Sequence, residues 1–370
     1  MYHHMELNIE NITNILGKII HPVTGEHLLE KGMISGIELS GKTVRFNLVI
    51  ERNSNQPLDQ IRKTCTEVIQ RQFGQQINVD IKTLFAPLQK EQPVVPDFLK
   101  DIKNIIAIAS GKGGVGKSTI AVNLAVAMAA TGARVGLLDA DIYGPSVPKM
   151  FNLENQRPGV IKQGETDVIL PIKKYGISLQ SIGFFVNPDD ALVWRGPMAT
   201  SALKQLITQT NWEQLDYLFI DMPPGTGDVH LTLVQTLAVT GVIIVSTPQQ
   251  VALADVKKGI NMFSGRQVNV PVLGLVENMA WFTPAELPEN KYYIFGREGC
   301  RQLAEQLNLP LLAQIPIVQS ICENSDDGIP PAIDHESISG KIFSQFANRV
   351  VEVTDERNQL KKPTQKVEIH

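Results

Sequence analysis

A glycine-rich segment between a predicted strand and a predicted helix carries the clearest chemistry in the sequence. It reads Ser-Gly-Lys-Gly-Gly-Val-Gly-Lys-Ser-Thr over residues 110–119 and follows the apolar stretch NIIAIA. Glycines let backbone N–H groups surround phosphate oxygens, and the N-terminus of the following helix adds positive potential. The segment therefore predicts a nucleotide phosphate site, made of Gly111, Lys112, Gly113, Gly114, Val115, Gly116, Lys117, Ser118 and Thr119.

Two side chains of this loop are expected to act on the phosphates directly. Lys117 is placed to reach the β and γ phosphates, and the Ser118 hydroxyl is placed to ligate Mg²⁺. The expected cofactors are therefore ATP and Mg²⁺, with Lys117 as a catalytic residue.

Carboxylates stand at the ends of two further predicted strands. Asp139 and Asp141 end RVGLLDADI, and Asp221 follows YLFI. Open α/β sheets bind their ligands at the carboxyl edge of the strands. We expect Asp141 to position the attacking water and Asp221 to hold Mg²⁺ through a water. Asp139 either adds charge to the metal site or caps the next turn. Residues 223–228, PPGTGD, are expected to form a switch that senses the γ-phosphate.

Two more residues at strand ends are candidates for binding the nucleotide base. Asn278 lies in GLVENM, and its amide can read the donor and acceptor edge of adenine. Pro316 lies in QIPI and is expected to cover the base. Asn and Pro are also common turn residues, so a purely structural role is the alternative for both.

Near-continuous apolar strands alternate with helical segments after residue 100. The strands are NIIAIAS, RVGLLDA, YLFIDM, GVIIVST, VPVLGLVEN and LLAQIPI. Strands that are apolar on both faces need helices on both faces. The prediction for residues 100–352 is an α/β P-loop NTPase domain with a doubly wound, mostly parallel sheet. Residues 353–370 are polar and are expected to fray.

A small α+β domain is predicted ahead of this one, over residues 5–87. ITNILGKI and LDQIRKTCTEVIQRQF have helical spacing, whereas ISGIELSGKTVRFNLVI contains two short strands and INVDIKTLF contains a third. Residues 88–99 contain two prolines and mixed charge, which is typical of an inter-domain linker.

Composition limits the partners and the compartment. The 370 residues carry 34 Lys and Arg against 38 Asp and Glu, for a net charge of −4. No global basic field favours nucleic acid or an anionic membrane, so neither is an expected partner. Three scattered cysteines and the lack of a signal-peptide pattern favour a reducing, cytoplasmic location.

The phosphate loop also contains an early lysine, Lys112, five residues before Lys117. GKGGVGKS resembles the deviant phosphate loop of the group that includes arsenite-pump, nitrogenase-iron, cell-division-site and plasmid-partition ATPases. In that group the early lysine reaches the nucleotide of the partner subunit and stabilises the transferring phosphoryl. The resemblance implies a catalytic role for Lys112 and a nucleotide-sandwich homodimer.

A larger set of motifs over residues 100–350 resembles the Mrp/ApbC family of iron–sulfur cluster carrier ATPases. They are LLDADIYGPSVPKMF, WRGPM, IDMPPGTGDVHLTL, TPQQVALADVKKGINMF, VENMAWF and IFGREG. The N-terminal domain resembles the one fused to the ATPase in many bacterial members, but more loosely. The resemblance implies an ATP-dependent homodimer that binds a [4Fe–4S] cluster and transfers it to apo-proteins.

The sequence departs from this family where the cluster ligands are expected. Family members commonly carry Cys-x-x-Cys soon after VENM, which gives a Cys₄ set across the dimer. Residues 281–296 here contain no cysteine, and the strand end at VIERNSNQP also lacks the expected one. Cys300 is the nearest thiol, either as one iron–sulfur ligand per subunit or as a small residue packed at a helix start. The aromatic residues of 281–296 predict a dimer or client contact surface, with a folded-back segment as the alternative.

Three functions therefore remain open from the sequence. The first is an iron–sulfur cluster carrier with homodimer and apo-protein partners. The second is a nucleotide-gated adaptor ATPase that binds clients without a cluster. The third is a partition or positioning ATPase, which the negative net charge and the absence of an amphipathic C-terminal tail disfavour.

Overall fold

The computed structural model describes most of the chain. The described residues are 6–50, 57–85, 97–164, 166–186, 196–284, 286–287, 289–362, 364 and 366–367. Residues 88–96 of the predicted linker, residues 51–56 of VIERNSNQP and residues 194–195 of WRGPM lie outside them. The chain divides into two compact units, Met1–Val94 and Val95–His370.

The N-terminal unit is a three-stranded sheet with two helices, as predicted. Its elements are α1 (Ile9–Leu16), β1 (Ile34–Ser40), β2 (Thr43–Ile50), α2 (Leu58–Phe73) and β3 (Asn78–Phe85). The central strand β2 is antiparallel to β1 and parallel to β3. Cys65 lies in the core between helices and sheet, where burial raises the pKa of its thiol to about 11.

The C-terminal unit follows the predicted alternation of strands and helices. Its elements are β4 (Ile102–Ser110), α3 (Lys117–Ala130), β5 (Val135–Asp139), α4 (Val147–Met150), β6 (Gly159–Gln163), β7 (Thr166–Leu170), β8 (Ile172–Lys174), β9 (Ile177–Ser181), α5 (Gly196–Gln209), β10 (Leu215–Asp221), α6 (Asp228–Thr236), β11 (Gly241–Ser246), α7 (Gln250–Ser264), β12 (Val272–Phe282), α8 (Gly299–Leu307), β13 (Leu311–Ile317), α9 (Gln319–Asp326) and α10 (Ile338–Leu360).

The main sheet of this unit has the order β13-β12-β11-β4-β10-β5-β9-β8. All neighbouring pairs are parallel except β8 with β9, while β6 and β7 form a separate hairpin. The chain leaves β4 towards β5 and later returns to its other side as β11. A reversal of this kind opens a crevice at the carboxyl ends of the strands, which is where α/β sheets bind ligands.

Apolar residues on both faces of the strands explain why helices cover both sides of the sheet. One core joins the sheet to α3 and α10, and the other joins it to α5, α6, α7 and α8. Helix α3 is buried on almost every side, from Ile120 to Met128, because α10 covers the face that the sheet does not. The predicted doubly wound, mostly parallel α/β fold is therefore confirmed.

The last helix extends beyond the predicted domain end at residue 352. Helix α10 continues to Leu360, because Val353 and Thr354 still face the core. The chain beyond the helix also makes contacts, since the Val367 N–H donates to the Val234 carbonyl in α6 at 3.0 Å. In the described part of the chain, no helix has the length and apolar character needed to span a bilayer.

Candidate functional site

The phosphate loop lies at the centre of the sheet, between the end of β4 and the start of α3. Gly114 and Gly116 have φ of +78° and +80°, a left-handed backbone that favours glycine. A Cβ at Gly111 would lie 2.6 Å from the Asp255 backbone carbon, and one at Gly116 would lie 2.2 Å from Asn278 Nδ2. Three of the glycines that predicted the loop are therefore required by its conformation and its close packing.

A buried ion pair lies beneath the loop. The Lys117 Nζ donates to Asp221 Oδ1 at 2.6 Å, with 6% of the lysine side chain and none of the aspartate exposed. Lys117 Nζ also lies 3.3 Å from Ser118 Oγ. The structure thus brings together the predicted phosphate lysine and two of the three predicted metal-site residues, Ser118 and Asp221.

Asp221 has a free acceptor that suits a metal ion. Its Oδ2 is buried and has no hydrogen-bond partner among the described residues. An orphaned carboxylate oxygen of Asp221 and the hydroxyl of Ser118, both on side chains that contact Lys117 Nζ, are oxygen ligands of the kind that Mg²⁺ prefers. Asp221 and Ser118 therefore fit the expected Mg²⁺.

Asp139 differs from its neighbour in having its oxygens already engaged. Oδ1 accepts from the Asp141 N–H at 3.1 Å, while Oδ2 accepts from the Val147 N–H at 3.3 Å and the Ser181 hydroxyl at 3.0 Å. Burial, and then the charge of Asp221, raise the pKa of Asp139 above its ordinary range. These contacts match the capping alternative, and they leave its metal role without a free oxygen.

Asp141 lies on the cavity that the phosphate loop encloses. Burial raises the pKa of this half-buried carboxyl, and the charge of Lys117 opposes that rise. The cavity has a volume of about 240 Å³ and brings Asp141 together with the predicted phosphate-binding residues. Its lining residues are Ser110, Lys112, Gly113, Gly114, Val115, Gly116, Lys117, Ser118, Thr119, Asp141, Ser146, Met150 and Pro224.

A second cavity, of about 540 Å³, adjoins the first and shares Gly116, Thr119 and Met150 with it. Both predicted base-contacting residues, Asn278 and Pro316, line it. Its other lining residues are mostly apolar, namely Ile120, Met279, Ile294, Phe295, Ile315, Ile317, Val318, Ile321, Ser325, Asp326 and Phe343. An apolar cavity next to a phosphate loop has the size and character of a nucleobase site.

Asn278 also supports the phosphate loop. Its Nδ2 donates to the Val115 carbonyl at 2.9 Å, inside the loop. The same amide therefore lines the second cavity and holds the loop backbone, while its contact with adenine stays a prediction.

His230 is a site residue that the sequence analysis missed. It is buried in α6, directly after the predicted switch, and its Nδ1 accepts from the Gly227 N–H at 3.2 Å. The other end of the switch is tied to the loop, because the Gly225 N–H donates to the Ser110 carbonyl at 3.0 Å. A histidine three residues after a glycine that ends a loop was the available signal, since a side chain at this helical position can reach back to cap the turn.

Cys300 lies inside the protein. Its thiol is fully buried and donates to the Thr247 carbonyl at 3.8 Å, while its N–H donates to Glu277 Oε2 at 2.7 Å. Burial, and then the nearby charge of Glu277, raise the pKa of the thiol to about 12. This position matches the alternative in which Cys300 is a small residue packed at the start of a helix. A cluster ligand shared across a dimer would need a thiol at the surface, and this thiol is buried. Among the described residues no three His, Cys, Asp or Glu side chains are grouped to hold a metal.

Part of segment 281–296, where the resemblance implies a cysteine pair, folds back on itself. Phe282 and Tyr292 exchange two backbone hydrogen bonds of 2.8 Å, and the Lys291 ammonium lies 4.1 Å from the centre of the Trp281 ring. Tyr292 and Ile294 nevertheless remain 46% and 60% exposed. The folded-back alternative therefore describes part of this segment, and an exposed apolar surface remains beside the base cavity.

Comparison with known proteins gives consistent matches. The family model described as NUBPL iron-transfer P-loop NTPase matches residues 101–351. An iron–sulfur cluster carrier protein of Synechocystis is 41% identical over 346 residues, which cover 93% of this chain and 97% of the relative. One of Haemophilus influenzae is 43% identical over 343 residues, covering 92% and 90%. Among solved structures, a nucleotide-binding protein of Archaeoglobus fulgidus in complex with ADP is 36% identical with a TM-score of 0.57, covering 67% of this chain and 96% of that one.

Proposed function

Because the chain belongs to the family of NUBPL iron-transfer P-loop NTPases, we propose that it is an ATP-hydrolysing iron–sulfur cluster carrier. We propose further that it works as a nucleotide-gated homodimer that delivers clusters to apo-proteins. The observation that carries the ATPase part is the Lys117–Asp221 pair beneath a phosphate loop that opens into an apolar cavity. The carrier part rests on the names of the relatives.

The residues of the phosphate loop act by position and charge. Backbone N–H groups of the loop and the start of α3 bind the phosphates, and Lys117 neutralises the β and γ oxygens. Ser118 and the free Oδ2 of Asp221 would hold Mg²⁺, which supplies further positive charge to the phosphates. A triphosphate would give Lys117 new anionic partners, and Asp221 would then be available to hold Mg²⁺.

Hydrolysis also needs an oriented water. Asp141 is the cavity carboxylate suited to accept a hydrogen bond from that water, because Asp139 is occupied by protein donors. Lys112 lines the same cavity and forms no ion pair with any described residue. We therefore propose that Lys112 acts on the nucleotide of a second subunit, which is the role its resemblance implies.

The iron–sulfur cluster is cargo in this proposal, and cysteine thiols are the side chains that would hold it. The two thiols whose side chains are described, Cys65 and Cys300, are both buried. A cluster bound through Cys300 requires the contacts of this residue with Thr247 and Glu277 to open. Two Cys300 thiolates per dimer also leave coordination positions for thiols from a client protein or a small molecule.

Anaerobic reconstitution tests the carrier function. Purified chain is treated with iron and sulfide, and both elements are quantified per dimer in the wild type, Cys300→Ala and the matched control Cys65→Ala. A stoichiometric cluster in the wild type and in Cys65→Ala, lost in Cys300→Ala, supports a carrier that uses Cys300. Cys322→Ala is measured alongside, because the Cys322 side chain lies outside the described residues.

The adaptor ATPase without a cluster is the second candidate, and one observation favours it. The described thiols are buried with raised pKa values, and no three-ligand group occurs in the described part of the chain. If the wild-type chain hydrolyses ATP but takes up no iron in the reconstitution, the adaptor function is supported and the carrier function is wrong.

We propose a cytoplasmic location and protein partners only. Three cysteines in 370 residues favour a reducing compartment. The net charge of −4 gives no general attraction to nucleic acid or an anionic membrane. The proposed partners are a second copy of the chain and apo iron–sulfur proteins.

A further inference from the structure

We propose that a second site, at the sheet edge opposite the phosphate loop, binds a small organic polyanion that carries phosphate or carboxylate groups. Two cavities of about 440 and 510 Å³ share Arg357, Lys361, Thr364 and Lys366. We call the two together the basic hollow. The first residues of β4 line it, whereas the last residue of this nine-residue strand lines the phosphate cavity. The two sites are therefore separated by the length of a central strand, roughly 25 Å at about 3.3 Å per residue.

The lining of the basic hollow is strongly cationic. Among the described residues, it contains one arginine and five lysines but a single carboxylate, from Asp97; the cations are Lys100, Lys103, Arg357, Lys361, Lys362 and Lys366. Lys103 pairs with Asp216 at 2.8 Å, and none of the other five forms an ion pair with a described residue. The whole chain has a net charge of −4, so this concentration of positive charge is a local feature.

Arg357 is held in place by neutral groups. Its Nη1 donates to Asn358 Oδ1 at 3.0 Å, and its Nη2 donates to the Lys362 carbonyl at 3.1 Å and to Thr364 Oγ1 at 2.6 Å. Asn358 is fixed in turn by donating to Asn104 Oδ1 at 2.9 Å. The guanidinium is therefore held in one position without a carboxylate partner.

The same arginine has a donor left over. Its Nε is buried and has no hydrogen-bond partner in the described part of the chain, and burial lowers the pKa of the guanidinium. An unpaired, partly desolvated guanidinium among lysines is unfavourable by itself, because like charges repel and a buried donor is unsatisfied. An anion in the hollow would offset the repulsion among these cations, since guanidinium and ammonium groups are suited to phosphate and carboxylate oxygens.

A role limited to the helix end does not explain the arrangement. Cations near the C-terminus of α10 would favour the helix dipole, which accounts for Lys361 and Lys362. It does not account for Lys100, which precedes β4, or for the unused Nε of Arg357. The two volumes fall in the range of small-molecule sites, roughly 300–1,000 Å³, so we infer a small ligand for this hollow.

Calorimetric titration of the full chain tests the site. The phosphate loop is first saturated with ADP in a buffer without Mg²⁺, because the two probes, citrate and inorganic tripolyphosphate, chelate that ion and would add their own heat. We expect both probes to bind at low salt and to weaken as salt rises, because the attraction is between charges. The tighter of the two probes distinguishes carboxylate from phosphate chemistry. If neither probe binds the wild-type chain at low salt, the proposal is wrong.

Variants then locate the binding. Arg357→Gln and the surface double variant Lys361→Gln/Lys366→Gln are each expected to weaken the affinity at least about tenfold, the effect of losing one or two charge-assisted contacts. The control Lys204→Gln/Lys257→Gln removes the same charge from exposed positions on α5 and α7 and is expected to bind like the wild type. The double variant decides the question if Arg357→Gln fails to fold. If the control variant loses as much probe affinity as the site variants, the effect comes from net charge alone and the proposed site is wrong.

Discussion

Lys117 Nζ and Asp221 Oδ1 form a 2.6 Å ion pair between residues that are 104 positions apart in the chain. The pair joins the first turn of α3 to the last residue of β10, directly below the phosphate loop. Each residue therefore has the other as its charge partner. Nucleotide and metal must compete with this pair, so its energy bears on both stability and ATP binding.

The first prediction is that the two members of the pair depend on each other for stability. Lys117→Ala leaves a buried carboxylate without a partner, which typically costs about 3–5 kcal/mol. The double variant Lys117→Ala/Asp221→Asn removes both charges, so we expect it to be more stable than Lys117→Ala alone. Urea unfolding of the nucleotide-free variants measures the coupling, with Lys112→Ala as the control. Additive effects of the two substitutions would contradict a strong pair.

The second prediction separates Asp141 from Asp139. Asp141→Asn is expected to leave ATP affinity within about threefold and to slow hydrolysis at least about 100-fold, because only orientation of the attacking water is lost. Asp139→Asn is expected to lower stability, since its two oxygens accept three hydrogen bonds. Nucleotide binding, single-turnover hydrolysis and urea unfolding are measured for both variants. Fast hydrolysis by Asp141→Asn would require another residue to orient the water.

Features set by nearby residues were predictable from the sequence. The order of β4, glycine loop and α3 follows from local backbone needs, and Asp141 and Asp221 were found because strand ends converge at one sheet edge. The helix α10 runs to Leu360, beyond the domain end predicted at residue 352, because two core-facing residues among polar neighbours give a weak signal.

Features that depend on distant partners were not predictable. The loop contact of Asn278 spans 163 residues, and no local pattern encodes a partner at that distance. The engagement of both Asp139 oxygens depends on Ser181 and Val147, which are placed by the fold. The burial of Cys300 likewise follows from the packing of α8 on β12, so residue type alone left its two roles open.

The third prediction distinguishes the two roles of Asn278. Asn278→Ala removes the hydrogen bond to Val115 and an amide from the base cavity, and we expect a loss of nucleotide affinity of about tenfold. If the amide mainly supports the loop, ADP and GDP affinities fall by the same factor. If it also reads adenine, the ADP affinity falls more. The ADP and GDP affinities of the wild type and the variant give the fold-loss for each nucleotide. Unchanged affinity for both nucleotides would exclude both roles.

The fourth prediction concerns the effect of His230 on pH-dependent stability. Burial lowers the pKa of this imidazole below its ordinary value of 6.5, and the charge of Lys117 acts in the same direction, whereas contacts with the Gly227 and Pro223 backbone oppose the shift. Below about pH 6.5 the unfolded chain therefore binds a proton at this position that the folded chain does not. The contribution is neutral above that pH, and stability is lost as pH falls from 6.5 towards the lower folded-state pKa.

His230→Gln tests this sign and keeps an acceptor near the Gly227 N–H. We expect the variant to lose less stability than the wild type between about pH 7 and pH 5, because glutamine does not titrate. His230→Leu removes the acceptor as well, and we expect an additional loss of about 1 kcal/mol at every pH, as for a lost helix cap. Its turnover should also fall more than that of His230→Gln, because the switch end at Gly227 is no longer held.

Urea unfolding and ATPase rates across this pH range are compared with the exposed control His335→Gln. Parallel pH curves for wild type and His230→Gln would show that His230 does not titrate differently in the folded chain.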